Sequence, residues 1–165
     1  MQELRVGFGY DVHKMEKGYK LTLGGIVIPY KKGLVGHSDA DVVIHAICDA
    51  LLGAANLRDI GYHFPDTDER FKGIDSKVLL REVVQMLLNN GYVVHNVDCM
   101  VSLEKPKIQD YIPQMQHILS KLLNIAEDYV SIKATTTEKL GFIGSEKGAA
   151  AFAVVLIKRK SENIS

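Results

Sequence analysis

Gly36-His37-Ser38-Asp39-Ala40-Asp41-Val42-Val43-Ile44-His45 is the stretch around which the rest of the chain is organised. It reads as a loop turning into a helix, with Ser38 or Asp39 as N-cap and Asp41 in the first turn. Val43, Ile47, Ala50, Leu51 and Ala54 then recur at three- and four-residue steps, which predicts a helix with one buried face that ends near Gly53. Asp41, His45 and Asp49 are four apart and share one stripe, so His45 sits a turn inside the helix with a carboxylate above and below it. His37 and Ser38 fall at the helix mouth, where free backbone N–H groups favour anions. Taken alone, a helical His between two Asp residues is most often a surface ion pair; a second stretch changes its weight.

That second stretch is Leu4–His13, whose period-two alternation reads as a strand. Asp11 and His13 are two apart, so both side chains leave the same face. Asp-x-His arises readily by chance, yet with His45 it makes a two-His, one-carboxylate set. Such a set suits Zn2+ with a fourth position open to substrate. Asp49 is then the candidate acceptor that fixes the His45 ring. A surface ion-pair cluster is the competing reading, and spacing leaves it open.

Outward from these stretches, Leu21–Leu23 and Ile26–Ile28 flank Gly24-Gly25 as a hairpin. A long polar loop covers Asp59 to Asp68, and long loops in compact domains are usually functional. Asp75 or Ser76 caps a second helix that stops at Gly91, and Tyr92–Leu103 is a strand. Ile108 to Leu122 carries the strongest helical period, with a start near Pro113. Val130–Thr135 and Gly148–Lys158 complete the strands. This order predicts one catalytic domain over residues 1–165, an α+β two-layer sandwich. Its helices pack on one face of a mixed four-stranded sheet in a ferredoxin-like arrangement. The final strand is apolar on both faces, which predicts a partner subunit over the open sheet face.

Composition narrows the function. Lys+Arg and Asp+Glu both number 20, so no net field draws the chain to nucleic acid or an acidic membrane. Cys48 and Cys99 lie in apolar segments and read as buried thiols in a reducing compartment. Met1-Gln2-Glu3-Leu4-Arg5 has no signal pattern and no apolar run spans a bilayer, which predicts a cytoplasmic protein. Lys158-Arg159-Lys160-Ser161 reads as a solvated basic end.

Two further stretches carry chemistry. Lys133-Ala134-Thr135-Thr136-Thr137-Glu138-Lys139-Leu140-Gly141-Phe142-Ile143-Gly144 leaves a strand with three hydroxyls, backbone N–H groups and Gly, the parts of a phosphate site. Glu138 adds a hard oxygen ligand for Mg2+ beside phosphates. Leu103-Glu104-Lys105-Pro106-Lys107 ends a strand in a rigid turn whose backbone can meet a base and whose lysines can meet a phosphate.

These motifs, in this order and spacing, resemble the 2-C-methyl-D-erythritol 2,4-cyclodiphosphate synthases of the non-mevalonate isoprenoid pathway. The likeness runs through Gly9–His13, Gly36–Asp41, Asp49–Ala54, Asp59–Gly61, His63–Asp68 and Lys133–Gly141, nearly the whole chain. It implies a homotrimer that cyclises 4-diphosphocytidyl-2-C-methyl-D-erythritol 2-phosphate and releases CMP. In it, Asp11, His13 and His45 would hold one Zn2+ per subunit and meet the substrate, and His37, Thr136 and Glu138 would act on the reacting phosphates. Ser38 would contact substrate, while Asp59, Ile60 and Gly61 would meet the ribose. Phe64, Pro65, Asp66, Thr67 and Asp68 would line the methylerythritol side. Leu103, Lys105, Pro106, Lys107, Ile108 and Gln109 would clasp cytosine. Thr135, Thr136, Thr137 and Glu138 would meet the diphosphate, with Glu138 on Mg2+ or Mn2+; Phe142 and Ser145 would complete the set. Leu103, Ser145, Lys147 and Phe152 depart from common family residues. Near the trimer axis Ser145 and Phe152 replace charged residues of the family and Lys147 replaces an acidic one, which predicts poor binding of isoprenoid diphosphates there. Two other readings remain: a metal-dependent nucleotide pyrophosphohydrolase, in which water attacks the diphosphate, and a metal-binding module without turnover.

Overall fold

Along strand β1 (Leu4–Lys17), odd-numbered residues face the helices and even-numbered ones face outward. Gly7 and Gly9 lie on the inner face. A Cβ at either would fall 1.9 and 2.0 Å from the carbonyl oxygens of Ala50 and Ala46 in helix α1 (Val42–Ala54). The absent side chains let α1 lie directly on the strand, and Asp11 and His13 continue the same inner face beyond them. The computed structural model describes residues 3–160. Met1 and Gln2 of the N-terminal stretch and Ser161 of the basic tail lie outside the described residues.

Strands β2 (Leu21–Leu23) and β3 (Ile26–Ile28) form a separate ribbon, joined by Gly24 and Gly25 at φ 58° and 82°, the left-handed pair that a two-residue hairpin needs. Then come β4 (Lys32–Val35), α1, the single turn α2 (Ile60–His63), α3 (Ser76–Asn89), β5 (Tyr92–Ser102) and α4 (Ile112–Leu123). Strand β6 (Val130–Thr135), the single turn α5 (Gly141–Gly144) and β7 (Gly148–Arg159) end the chain. The main sheet runs β4-β1-β7-β5-β6, with β5 and β6 parallel and every other pair antiparallel. Helices α1, α3 and α4 cover one face. No helix is long and apolar enough to cross a membrane among the described residues.

The α+β layering and the mixed sheet agree with the sequence, but the sheet has five strands where four were expected. The extra strand, β4, is four residues with no alternation to read. The connectivity also differs from a ferredoxin-like βαββαβ order, since one crossover, β5–α4–β6, joins neighbouring parallel strands. Helix α1 is not one-sided: its residues from Val42 to Cys48 are all buried, because α3 and the β2 strand cover the side away from the sheet. The expected Asp59–Asp68 loop contains α2 and leads into a 3-10 turn at Glu69–Phe71. Arg159 is exposed, as expected of a solvated end, and it also donates to Glu3 at 2.9 Å and lies 4.5 Å over the Tyr92 ring.

The outer face of the sheet is apolar and open. Val6 and Phe8 are 69% and 63% exposed, and Tyr10, Val12, Phe152 and Val154 extend the row onto β7. The Tyr10 and Phe152 rings lie 4.9 Å apart. A contiguous row across two paired strands is more than the scattered apolar residues of an ordinary surface.

The seating of α1 on β1 gives a direct test. Gly9→Ala is expected to collide with the Ala46 carbonyl and to destabilise the fold by about 3 kcal/mol or more, the upper end for overpacking. Urea unfolding reads this as a lowered midpoint. An unchanged midpoint would mean that the helix does not rest on the strand at this point.

Candidate active site

Helix α1 begins at Asp41, whose side chain accepts from Val43 and Ile44 N–H at 3.1 Å each. The expected caps, Ser38 and Asp39, lie three and two residues too early, and the Val43 and Ile44 N–H groups at the helix mouth are spent on Asp41 rather than left for an anion. From this start the register places His45 one turn in, facing β1.

There Asp11, His13 and His45 converge. Asp11 Oδ2 lies 3.1 Å from His13 Nε2 and 3.0 Å from His45 Nδ1, and the two ring nitrogens are 3.2 Å apart. Ligands bound tetrahedrally at 2.0–2.1 Å stand roughly 3.3 Å from one another, so this spacing fits a single Zn2+-sized ion. A Cβ at Gly36 would meet His13 Cε1 at 3.0 Å and Nδ1 at 3.2 Å, so that glycine leaves room for the ring. Burial raises the Asp11 carboxyl, but hydrogen bonds from His13 and His45 outweigh it and hold the group well below the ordinary carboxylate range. Burial lowers the His45 imidazole, yet Asp11 and the nearby Asp41 and Asp39 charges keep it above its ordinary value. The His45 shift reports the carboxylates gathered around its ring, and the Asp11 shift reports the two imidazoles that hold its charge.

A cavity of about 490 Å3 opens from this triad. The expected residues His37, Ser38, Ile60, Gly61, Phe64, Pro65 and Asp66 line it, as do Phe71, Ile74 and Leu79, which the sequence reading did not single out. His37 Nε2 donates to the Asp68 carbonyl at 3.1 Å, which sets its ring orientation. Asp59, Thr67 and Asp68 do not line the cavity. The Asp59 carboxylate caps α2 by accepting from Tyr62 N–H at 2.9 Å, and Asp68 pairs with Arg70. Asp49 does not touch His45. Its carboxylate accepts from Ile60 N–H at 2.7 Å, because the His45 ring leans toward the helix N-terminus and leaves Asp49 to the returning chain. Asp49 thus ties α1 to the loop at Asp59–Gly61.

The remaining expected residues build a second cavity of about 400 Å3, with no lining residue in common with the first. Leu103, Pro106, Lys107, Ile108, Gln109, Thr135 and Thr136 line it, with Glu104, Ile112 and Ala134. Lys105, Thr137, Glu138, Phe142 and Ser145 lie outside it. Lys105 Nζ approaches Glu146 at 3.9 Å, Thr137 Oγ1 donates to the Leu140 carbonyl, and Ser145 Oγ donates to the Gly141 carbonyl. The Phe142 ring packs against Gly148. Glu138 and Lys139 hold φ of 52° and 64°, a left-handed pair that costs non-glycine residues about 1–2 kcal/mol each and recurs where loops hold ligands. Thr136 Oγ1 accepts from Glu138 N–H at 3.3 Å and so braces that turn. Strands β1, β5 and β6 run the same way, and the pairings Asp11–Ala151, Ala151–Val101 and Val101–Ala134 put both cavities at one end of the sheet. Three strand spacings, roughly 14 Å, separate their strands.

The fold and this site define a class: α+β enzymes with a candidate Asp-x-His…His metal triad. The chain belongs to the YgbB family, whose model matches residues 4–158. It is 59% identical over 157 residues to the 2-C-methyl-D-erythritol 2,4-cyclodiphosphate synthase of Phocaeicola vulgatus, covering 95% of this chain and 98% of that one. The enzyme of the same name from Bacteroides fragilis is 55% identical over 157 residues, covering 95% and 99%. Among solved structures, the CDP complex of Plasmodium falciparum IspF matches with TM-score 0.84 and 35% identity over 98% of this chain and 99% of that one. The bifunctional IspDF of Campylobacter jejuni matches with TM-score 0.92 and 40% identity over 96% of this chain; the chain spans 43% of that longer protein.

The triad makes a testable claim. His45→Ala leaves two ligands, too few for a tight site. The variant is expected to lose zinc binding while its far-UV circular dichroism stays that of the parent. Elemental analysis that still finds one zinc per variant chain would overturn the assignment.

Proposed function

We infer that the chain closes the ring of 4-diphosphocytidyl-2-C-methyl-D-erythritol 2-phosphate to give 2-C-methyl-D-erythritol 2,4-cyclodiphosphate and CMP, a step of isoprenoid precursor synthesis. Residues 1–165 act as one catalytic domain in the cytoplasm. The observation that carries this reading is the Asp11, His13, His45 triad at the mouth of a cavity sized for a sugar phosphate, in a chain of this family.

An oxygen of the 2-phosphate attacks the β-phosphorus, the bond from that phosphorus to the bridging oxygen breaks, and CMP leaves with that oxygen. Asp11, His13 and His45 would hold Zn2+, and Glu138 would hold Mg2+ or Mn2+; such ions would supply neutralisation of the charge on the phosphate oxygens. Phosphoryl transfer otherwise needs positioning more than a covalent nucleophile. His37, oriented by the Asp68 carbonyl, and Ser38 direct polar groups to the phosphate next to the triad. Phe64 and Pro65 exclude water from the methylerythritol end, which disfavours hydrolysis as the competing outcome. Asp59 and Gly61 take the ribose hydroxyls. Leu103 to Gln109 take the base, and Thr135 to Glu138, with Phe142 and Ser145 behind them, take the diphosphate and its Mg2+. Phosphorus NMR of the purified protein with substrate and Mg2+ is expected to show the cyclic diphosphate appearing with CMP. A free monophosphate in its place would select the pyrophosphohydrolase reading.

The active form is a homotrimer whose sites lie between subunits. Two observations support this: the open apolar row from Val6 to Val154, and the separation of the triad from the Thr136/Glu138 loop within one chain. A cyclic trimer brings one subunit's metal half against its neighbour's nucleotide half. Complementation tests it. His45→Ala and a Thr136→Ala/Glu138→Ala double variant are each expected to be nearly inactive. Random mixing at equal levels is expected to restore roughly a quarter of parental activity, because one interface in four pairs two intact halves. Mixed trimers, confirmed with differently tagged chains, that stay as inactive as their parents would show that each site belongs to one chain.

A further inference from the structure

The two residues that the sequence offered as alternative helix caps, Asp39 and Ser76, cap nothing. Asp41 caps α1 and Asp75 caps α3. Asp39 and Ser76 are bonded to each other: Ser76 N–H donates to Asp39 Oδ2 at 3.1 Å, and Ser76 Oγ is in a short hydrogen bond with Asp39 Oδ1. Asp39 Oδ1 also accepts from Asp41 N–H at 3.3 Å. Ser76 is fully buried, and its Oγ lies 2.8 Å from His45 Nε2, on the far side of that ring from Asp11 and His13. A carboxylate only accepts, so the single hydroxyl proton of Ser76 is committed to Asp39. Toward His45 the hydroxyl oxygen can then only accept. The ring must carry a hydrogen on Nε2, so Nδ1 is the atom turned to Asp11 and His13: without a metal it donates to Asp11, and once that proton is displaced its lone pair is free to ligate. Ser38 Oγ lies 3.1 Å from the same Nε2.

We propose that Asp39 and Ser76 are positioning residues for the metal site, a relay in which Asp39 orients the Ser76 hydroxyl and Ser76 fixes the tautomer and ring plane of His45 so that Nδ1 is the ligand atom. The inference rests on the reading of Asp11, His13 and His45 as metal ligands. It assigns a function to the contact between the start of α3 and the loop before α1, which otherwise reads as packing. The relay reaches the metal from outside the cavity, so it sets affinity without touching substrate.

The test uses Zn2+ alone as probe, titrated against a chromophoric chelator into metal-stripped full-length protein. Ser76→Ala and Asp39→Asn are each expected to weaken Zn2+ binding about 10–100-fold, the usual effect of removing a partner of a metal-bound histidine. Asp75→Ala, which removes the cap of the same helix but not the bond to His45, is expected to lower the melting temperature and leave Zn2+ affinity within about twofold of parent. Imidazole NMR of the zinc-loaded parent protein is expected to show His45 with hydrogen on Nε2, slow to exchange with solvent; this holds even if one variant fails to fold. Affinity of the folded Ser76→Ala or Asp39→Asn variant within twofold of parent, equal loss in Asp75→Ala, or hydrogen on Nδ1 would each overturn the relay. A parent protein that takes up no Zn2+ would instead overturn the metal reading beneath it.

Discussion

A single buried carboxylate registers the helix layer on the β2–β3 hairpin. Asp41 is fully buried and accepts four backbone N–H groups: Gly24 at 2.9 Å, Gly25 at 2.7 Å, and Val43 and Ile44 at 3.1 Å each. Burial pushes its carboxyl upward, against those donors, which stabilise the charged form. The two pairs of donors belong to different elements, the turn of the β2–β3 ribbon and the first turn of α1. The same turn is held from the other side, since Lys77 of α3 donates to the Gly25 carbonyl and Met115 of α4 fills the space over Gly24. Three helices are thus indexed to one hairpin. The position of His45, four residues on, follows from where Asp41 is pinned.

This explains what could be read from the sequence and what could not. Period-two spacing put Asp11 and His13 on one face, and helical spacing put His45 a turn inside a helix; both are local facts, and both hold in the structure. The choice of cap is not local. Ser38, Asp39 and Asp41 all have cap chemistry, and Asp41 is selected because Gly24 and Gly25, distant in sequence, supply two more donors to it. The misreading of Asp49 has the same origin. Stripe geometry places it beneath His45, but the Ile60 N–H that takes its carboxylate arrives through the tertiary return of the chain. Strand β4 went unread because its residues pair only with the far end of β1, from Lys14 to Lys17, which extends past the stretch whose alternation was legible.

The glycines of β1 show how a spacing rule can miss a fold determinant. Gly7 and Gly9 fit the inner phase of an alternating strand and add no hydrophobic signal, so the pattern alone gives them no weight. In the structure they are the reason a helix backbone sits against a strand backbone, and that closeness brings Asp11 and His13 within 3.0–3.1 Å of a nitrogen on the helix or of each other. A larger residue would lift α1 by more than the few tenths of an ångström that a metal site tolerates.

The two halves of the proposed site answer different physical demands. Metal ligation fixes atom positions closely, and the candidate ligands stand on a buried helix and a glycine-seated strand. Diphosphate binding needs several donors to converge on a flexible anion, and the residues proposed for it stand on a loop whose Glu138 and Lys139 adopt left-handed backbone. On the proposed reading, the two stand on one chain at one end of the sheet but three strands apart, and neither would complete the reaction alone. In the proposed trimer the apolar outer face would supply the driving force for a neighbour to close that gap, because covering exposed Val6 and Phe8 is favourable whether or not substrate is present. Assembly would then precede binding, and the substrate would meet a finished site instead of having to build one.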